Sequence, residues 1–206
     1  MKWFHEGITE GENGIVIYPN LQTFRQIYRQ YAKDQLAKEE EEEEEDEKNN
    51  NTRNEQSKPR IILIATFYET IDSVKHSLSA VGVDAQSLID NGSLVIVDAF
   101  SSYYPNIDGM KKLVASLSDR ARKEDRAGVT AIVDMGFFFL FGGDGRATEL
   151  INYEASLTPK TEGGNVIGFS CYHGGNYNTL KDNKKEELAQ KGKKVLEITE
   201  STTITF

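Results

Sequence analysis

Five short runs, GIVIY (residues 14–18), RIILIATF (60–67), SLVIVDAF (93–100), VTAIVD (129–134) and NVIGFSCY (165–172), are apolar almost without a break and rich in β-branched and aromatic residues. A strand with one wet face alternates apolar and polar side chains, so runs that are apolar at both parities must be covered on both faces. Helical stretches separate them. Ile71, Val74, Leu78 and Val81 make one apolar stripe that stops at Gly82, and Met110, Leu113, Val114 and Leu117 make another. Strand alternating with helix predicts a three-layer α/β fold: a mainly parallel sheet, helices on both faces, right-handed crossovers. Beyond residue 178 a Lys/Glu-rich helix ending near Gly192 precedes KVLEI and TTITF, which read as two C-terminal edge strands forming a hairpin. The length of 206 residues suits one such domain, over 1–206.

Residues 38–58, KEEEEEEEDEKNNNTRNEQSK, interrupt this pattern. They are highly charged and carry no large apolar group to offset the entropy of ordering, so a disordered acidic loop is expected there. It is either a solvated insertion or a docking segment for a basic protein partner. The nine acids at 39–47 also account for the net charge of -9, because setting them aside leaves 24 acids against 24 bases. A neutral body lacks the cation excess that nucleic-acid binding needs. One cysteine, Cys171, allows no intramolecular disulfide and no CxxC zinc cluster, which fits a reducing compartment. The opening MKWFHEGITEG has no apolar signal region, and no run approaches the ~18 apolar residues of a membrane span. The expectation is a cytoplasmic protein without a membrane segment.

The first strand runs into a helix through Tyr18-Pro19-Asn20, where many α/β proteins hold a phosphate. A P-loop needs GxxxxGK[ST], and YPNLQTF has neither glycine nor lysine there, so Asn20 or Thr23 reads as a helix cap. Asp98 and Asp134 each end an apolar strand, at the carboxyl edge where open α/β sheets bind ligands. Each either holds a loop backbone or, in a divergent nucleotide hydrolase, a magnesium ion. The run Phe137, Phe138, Phe139, Leu140, Phe141 follows Asp134 and suits the wall of an apolar pocket, core packing or a partner contact. The glycines of FFFLFGGDGRATE lack the spacing of a dinucleotide fingerprint. Glu154 shares a helical stripe with Ala147, Leu150, Ile151 and Leu157, so a carboxylate falls among core positions, either hydrogen-bonded for structure or binding a ligand. Cys171, Tyr172 and His173 end the fifth run, but no third group completes a catalytic arrangement. His5, His76 and His173 form no metal-ligand spacing, so neither metal nor cofactor is expected.

GIVIYPNLQTF, VGVDAQSLIDNGSLVIVDAFSSYYP, AIVDMGFFF, INYEASL and VIGFSCY, in this order, resemble the MEDS family (methanogen/methylotroph sensory domain) over about residues 13–180. That resemblance implies a RecA-type ATPase fold that has lost its P-loop. It places Tyr153 and Glu154 in a family motif, Asp134 where an acid is frequent and Phe137 where tryptophan is frequent. It places Ser170 at a frequent cysteine and Tyr172 at a frequent tyrosine. Asn13 stands where the family often has histidine.

What it implies is a non-enzymatic sensory domain that binds a small organic molecule, such as a hydrocarbon derivative, at the carboxyl edge of the sheet. Tyr18, Asp98, Tyr103, Asp134, Phe137, Phe138, Glu154 and Tyr172 are the candidate ligand-binding residues. Family members commonly carry an output module for which 206 residues leave no room, so signalling through a change of surface or of assembly, including a homo-oligomer, is expected. The rivals are the divergent nucleotide hydrolase and an interaction scaffold using the acidic loop.

Overall fold

The structure is a computed structural model that describes residues 8, 11–48, 58–103, 108–140, 144–157, 165–192 and 194–199, with backbone alone for 38–48, 144–146 and 155–157. Strands β1 (Glu12–Tyr18), β2 (Arg60–Thr66), β3 (Leu94–Asp98), β4 (Gly128–Asp134), β5 (Val166–His173) and β6 (Lys194–Glu197) make one sheet in the order β3-β2-β4-β5-β1-β6. Every neighbouring pair is parallel. Helices α1 (Leu21–Lys48), α2 (Ile71–Ser79), α3 (Ala85–Asp90), α4 (Ala99–Tyr103), α5 (Asp108–Lys123), α6 (Asp144–Leu157), α7 (Gly174–Tyr177) and α8 (Asp182–Ala189) connect them, with a 3-10 turn at Gly136–Phe139.

The apolar strand runs feed two separate cores. Val16, Tyr18, Ile62, Ile64, Ile132, Phe169 and Cys171 pack under α1, α2 and α3, against Phe24, Ile27, Tyr28, Val74, Leu78 and Leu88. Ile15, Ile17, Leu63, Ala131, Val133 and Tyr172 face the opposite way, against Met110, Leu117, Leu150, Ile151 and Leu188 of α5, α6 and α8. Two-sided burial is the physical reason the strands do not alternate. The outcome is the expected three-layer α/β fold, with a sheet that is wholly parallel.

Two stretches differ from expectation or fall outside the described residues. The backbone of α1 stays helical through Lys48, across the acids expected to start a loop. Packing of Phe24, Ile27, Tyr28 and Tyr31 nucleates the helix, and glutamate, a good helix former, extends it at little cost per residue. At 1.5 Å per residue α1 is roughly 40 Å long, well beyond the roughly 23 Å of a seven-residue strand. Residues 49–57 of the expected loop lie outside the described residues. At the other end, Lys194–Glu197 takes the sheet edge in parallel beside β1, with Val16 opposite Leu196. The second run, 202–206, lies outside the described residues, and the hairpin with it.

Candidate functional site

In a parallel sheet a crevice opens at the carboxyl edge wherever neighbouring strands send their connections to opposite faces. β1 leads into α1 on one face while β5 leads toward α8 on the other, and β2 leads into α2 while β4 leads into α6. β3 leads into α4 and α5 on the same face as α6, so strands part in this way at β3/β2, β2/β4 and β1/β5. Asp98, Tyr103, Asp134, Phe137 and Phe138 lie at or just beyond the carboxyl ends, whereas Glu154 bonds to Asn13 near the amino end of β1.

The turn at Tyr18-Pro19-Asn20 carries a plain helix cap. The Asn20 side-chain oxygen accepts from Thr23 N at 3.0 Å and from the Thr23 hydroxyl at 3.2 Å, so an amide that a P-loop would offer to phosphate is already used. Asp134, fully buried at the end of β4, bridges the β2/β4 crevice. Its Oδ1 accepts from Gly136 N at 3.0 Å and from the Tyr18 hydroxyl at 3.3 Å. Its Oδ2 accepts from Phe67 N at 3.4 Å and Tyr68 N at 3.3 Å. Burial raises its pKa from 3.8 to about 6, against the pull of these donors. Asp134 and Tyr18 thus lie together on the α1 side, tying two loops and β1 to one carboxylate. Asp98, on edge strand β3, is apart from them and caps α4 by accepting from Ser101 N at 2.6 Å.

On the α6 side the remaining candidates converge. Tyr103 stacks on Phe137 with ring centroids 4.1 Å apart and meets Tyr153 edge-on at 5.1 Å, where the two hydroxyls share a hydrogen bond. Phe138 lies 4.1 Å from Phe137 and 5.6 Å from Tyr153. Phe139 meets Tyr172 edge-on at 6.5 Å, and Tyr172 donates its hydroxyl to Glu154 Oε1. The other oxygen, Oε2, accepts from Asn13 Nδ2 at 2.6 Å, and the same amide donates to Ser170 Oγ at 3.1 Å. Helical periodicity places Glu154 over the sheet, and the register of β1 on β5, with Asn13 beside Gly168 and Ile15 beside Ser170, brings its partners beneath it.

Glu154 is fully buried and forms no ion pair among the described residues. Desolvation pushes its pKa from 4.5 to about 7, opposed by the Tyr172, Ser170 and Asn13 hydrogen bonds. Near neutral pH it changes charge readily beside an aromatic wall. Burial, with the Glu154 charge adding to it, raises the Tyr172 and Tyr103 hydroxyls well above the usual range. Among the described residues no group of three His, Cys, Asp or Glu is placed to hold a metal ion. Cys171 is buried on the α1 side, its thiol donating to Phe169 O at 3.7 Å, and burial pushes its pKa up, which makes it a poor nucleophile. Phe141 and the glycines at 142–143 lie outside the described residues.

Sequence reasoning from spacing missed Asn13 and Ser170 as partners of Glu154, and Tyr153 as partner of Tyr103. The signal lay in the resemblance, since the positions it singled out at Asn13, Ser170 and Tyr172 meet around Glu154. Gly168 makes the meeting possible, since a Cβ there would stand 2.5 Å from Asn13 Oδ1. Gly168→Ala is expected to swing Asn13 off Glu154 and lower stability by about 1–3 kcal/mol in urea denaturation, the cost of leaving a buried polar group without its partner. An unchanged midpoint would show that Asn13 does not support Glu154.

No helix among the described residues is long and apolar enough to cross a membrane. None of the curated proteins matches this chain. The sequence model of the MEDS family, described as methanogen/methylotroph, DcmR sensory domain, matches residues 52–191, from before β2 to the end of α8. That stretch includes Asp98, Tyr103, Asp134, Phe137, Phe138, Glu154 and Tyr172 and leaves out β1 with Asn13 and Tyr18. With well over half of its 206 residues matched, the chain belongs to the MEDS family of sensory domains.

Proposed function

We propose that this chain senses a small organic molecule by binding alone, without catalysis, in the α6-side cluster of Tyr103, Phe137, Phe138, Glu154 and Tyr172. The observation that carries this reading is two groups of aromatic rings in one core, Tyr103 with Phe137, Phe138 and Tyr153, and Tyr172 with Phe139, about a buried carboxylate that has hydrogen-bond donors but no cation among the described residues. Apolar walls with few polar groups are the usual make-up of small-molecule sites. A guest with an apolar body and one polar group matches them. Asp134, Tyr18 and Asp98 support the site from outside, through the loops and the short helix they hold. The signal leaves the site through α6 and the 3-10 turn after β4, which carry Glu154 and the phenylalanines.

Thermal-shift measurements test this with small alcohols, amines, carboxylic acids and haloalkanes of matched size. A ligand at 100 times its Kd stabilises by about 2.7 kcal/mol, roughly 5–10 °C for a chain of this length. That shift is expected for wild type and is expected to shrink in Phe138→Ala and in Glu154→Gln. Equal shifts in all three proteins would remove the cluster as the site, and turnover of a bound compound would overturn the non-catalytic reading.

A further inference from the structure

Tyr68 follows β2 on the loop to α2, yet its side chain crosses the carboxyl end of β4, and its hydroxyl accepts from Asn176 Nδ2 of α7, beyond β5. Its ring lies against Gly136, where a Cβ would stand 2.6 Å from Tyr68 Cε2, and beside His173 with ring centroids 5.8 Å apart. Tyr68 is nonetheless 40% exposed, so these contacts hold one side of the ring while solvent meets the other.

The ends of this loop are held more firmly than its middle. Thr66 donates its hydroxyl to Glu69 O at 3.1 Å, and the buried Glu69 carboxylate accepts from Arg25 Nε at 2.9 Å, the Tyr28 hydroxyl at 3.0 Å and the Ser73 hydroxyl at 2.9 Å. Between these anchors the Tyr68 amide reaches Asp134 Oδ2 only at 3.3 Å, a long bond for an amide donor. Its partner α7 is one turn long and opens with Gly174-Gly175, so little backbone restraint resists a shift of that turn.

We propose that Tyr68 is a strap over the carboxyl rim, held shut by α7, that lifts without unfolding of the sheet. Both elements it touches reach the α6-side cluster. Tyr177 of α7 meets Tyr172 edge-on at 6.1 Å, and Gly136 opens the 3-10 turn that carries Phe137 and Phe138. The regulatory sense of the strap rests on the reading of that cluster as the sensory site: a guest that displaces Tyr172 or the phenylalanines is read at the surface as a lifted Tyr68, with His173 and the Asp134 rim uncovered.

Amide exchange followed by NMR on the whole chain, in rising but sub-denaturing urea, separates local from global opening. In wild type the Tyr68 amide is expected to exchange at a rate that urea hardly changes, while the paired Ile64 and Ile132, in the middle of the sheet, exchange only with global unfolding. Asn176→Ala is expected to speed the Tyr68 amide about three- to tenfold, the worth of one hydrogen bond. Tyr177→Ala removes the contact with Tyr172, leaves Asn176 and Tyr68 in place, and is expected to speed the same amide. A merely structural loss would instead speed Ile64 and Ile132 and leave Tyr68 unchanged, because a locally opening amide does not sense global stability. A Tyr68 amide that exchanges only with global unfolding, or one indifferent to Asn176→Ala or to Tyr177→Ala, would overturn the proposal. These readings need no ligand, so a failed thermal-shift test removes the sensory site while a strap that opens as expected still stands.

Discussion

Asp134→Ala is expected to cost about 3–5 kcal/mol of folding stability, whereas Asp98→Ala costs about 0.5–2 kcal/mol, although both aspartates end an apolar strand with the sequence IVD. Removing the Asp134 carboxyl leaves the Gly136 amide and the fully buried Tyr18 hydroxyl without their acceptor, each a desolvation cost of about 1–3 kcal/mol. The bonds from Phe67 and Tyr68 are long, at 3.4 and 3.3 Å, and add less. Asp98 supplies one capping bond to a five-residue helix at the edge of the sheet. Asp134→Asn falls between the two, because its amide nitrogen sets a donor against the donating Phe67 and Tyr68 amides while its oxygen keeps Gly136 and Tyr18. Urea denaturation ranks the three variants, and hydrogen exchange at Phe67 and Tyr68 reports whether the β2 loop loosens. An Asp134→Ala loss no larger than that of Asp98→Ala would mean that Asp134 does not hold the crevice.

Those two aspartates also show where the sequence stops being informative. Local chemistry put each at a strand's carboxyl end, correctly, but only strand order separates a central β4 from an edge β3. Strand order is a long-range property: β5 pairs with β1 across more than 150 residues, and nothing in either run names the other. What the sequence did carry was period. Five runs without alternation implied a sheet covered twice, and the helical stripe through Leu150, Ile151 and Glu154 marked an acid among core positions. Its partners Asn13 and Ser170 were invisible to period because they reach Glu154 only through the β1/β5 register. The acid run erred in the other direction, since composition weighed its lack of apolar groups and not the ease of extending a helix already anchored by Phe24 and Tyr28. Ile71, assigned to the α2 stripe, stands partly exposed because it opens the helix at the carboxyl rim, beyond the sheet it would cover.

The buried glutamate makes a second large effect readable by pH. Its pKa is about 7 in the folded protein against 4.5 as an ordinary side chain, so between these values the unfolded chain has released a proton that the native state still holds. Stability then falls as the pH rises. The Glu154 contribution is fully present below pH 4.5 and is lost once pH passes 7, by about 3 kcal/mol at about 1.4 kcal/mol per unit. Asp134 acts with the same sign between 3.8 and about 6, and it is common to wild type and a Glu154 variant, so it cancels in their difference. In Glu154→Gln, Tyr172 keeps an oxygen to donate to and Asn13 can turn its amide to present Oδ1, so the uncharged side chain retains both contacts. Melting temperatures of wild type and Glu154→Gln are expected to lie close together at pH 4.5, to separate up to about pH 7 and to keep that gap at pH 8. There the variant is the more stable by roughly 6–12 °C. Parallel curves would mean that Glu154 is already ionised in the fold at low pH, held by its three donors. A sensor whose anchoring carboxyl is that firmly charged would favour cationic guests at every pH, whereas one that titrates near 7 takes neutral guests below that point and cationic guests above it.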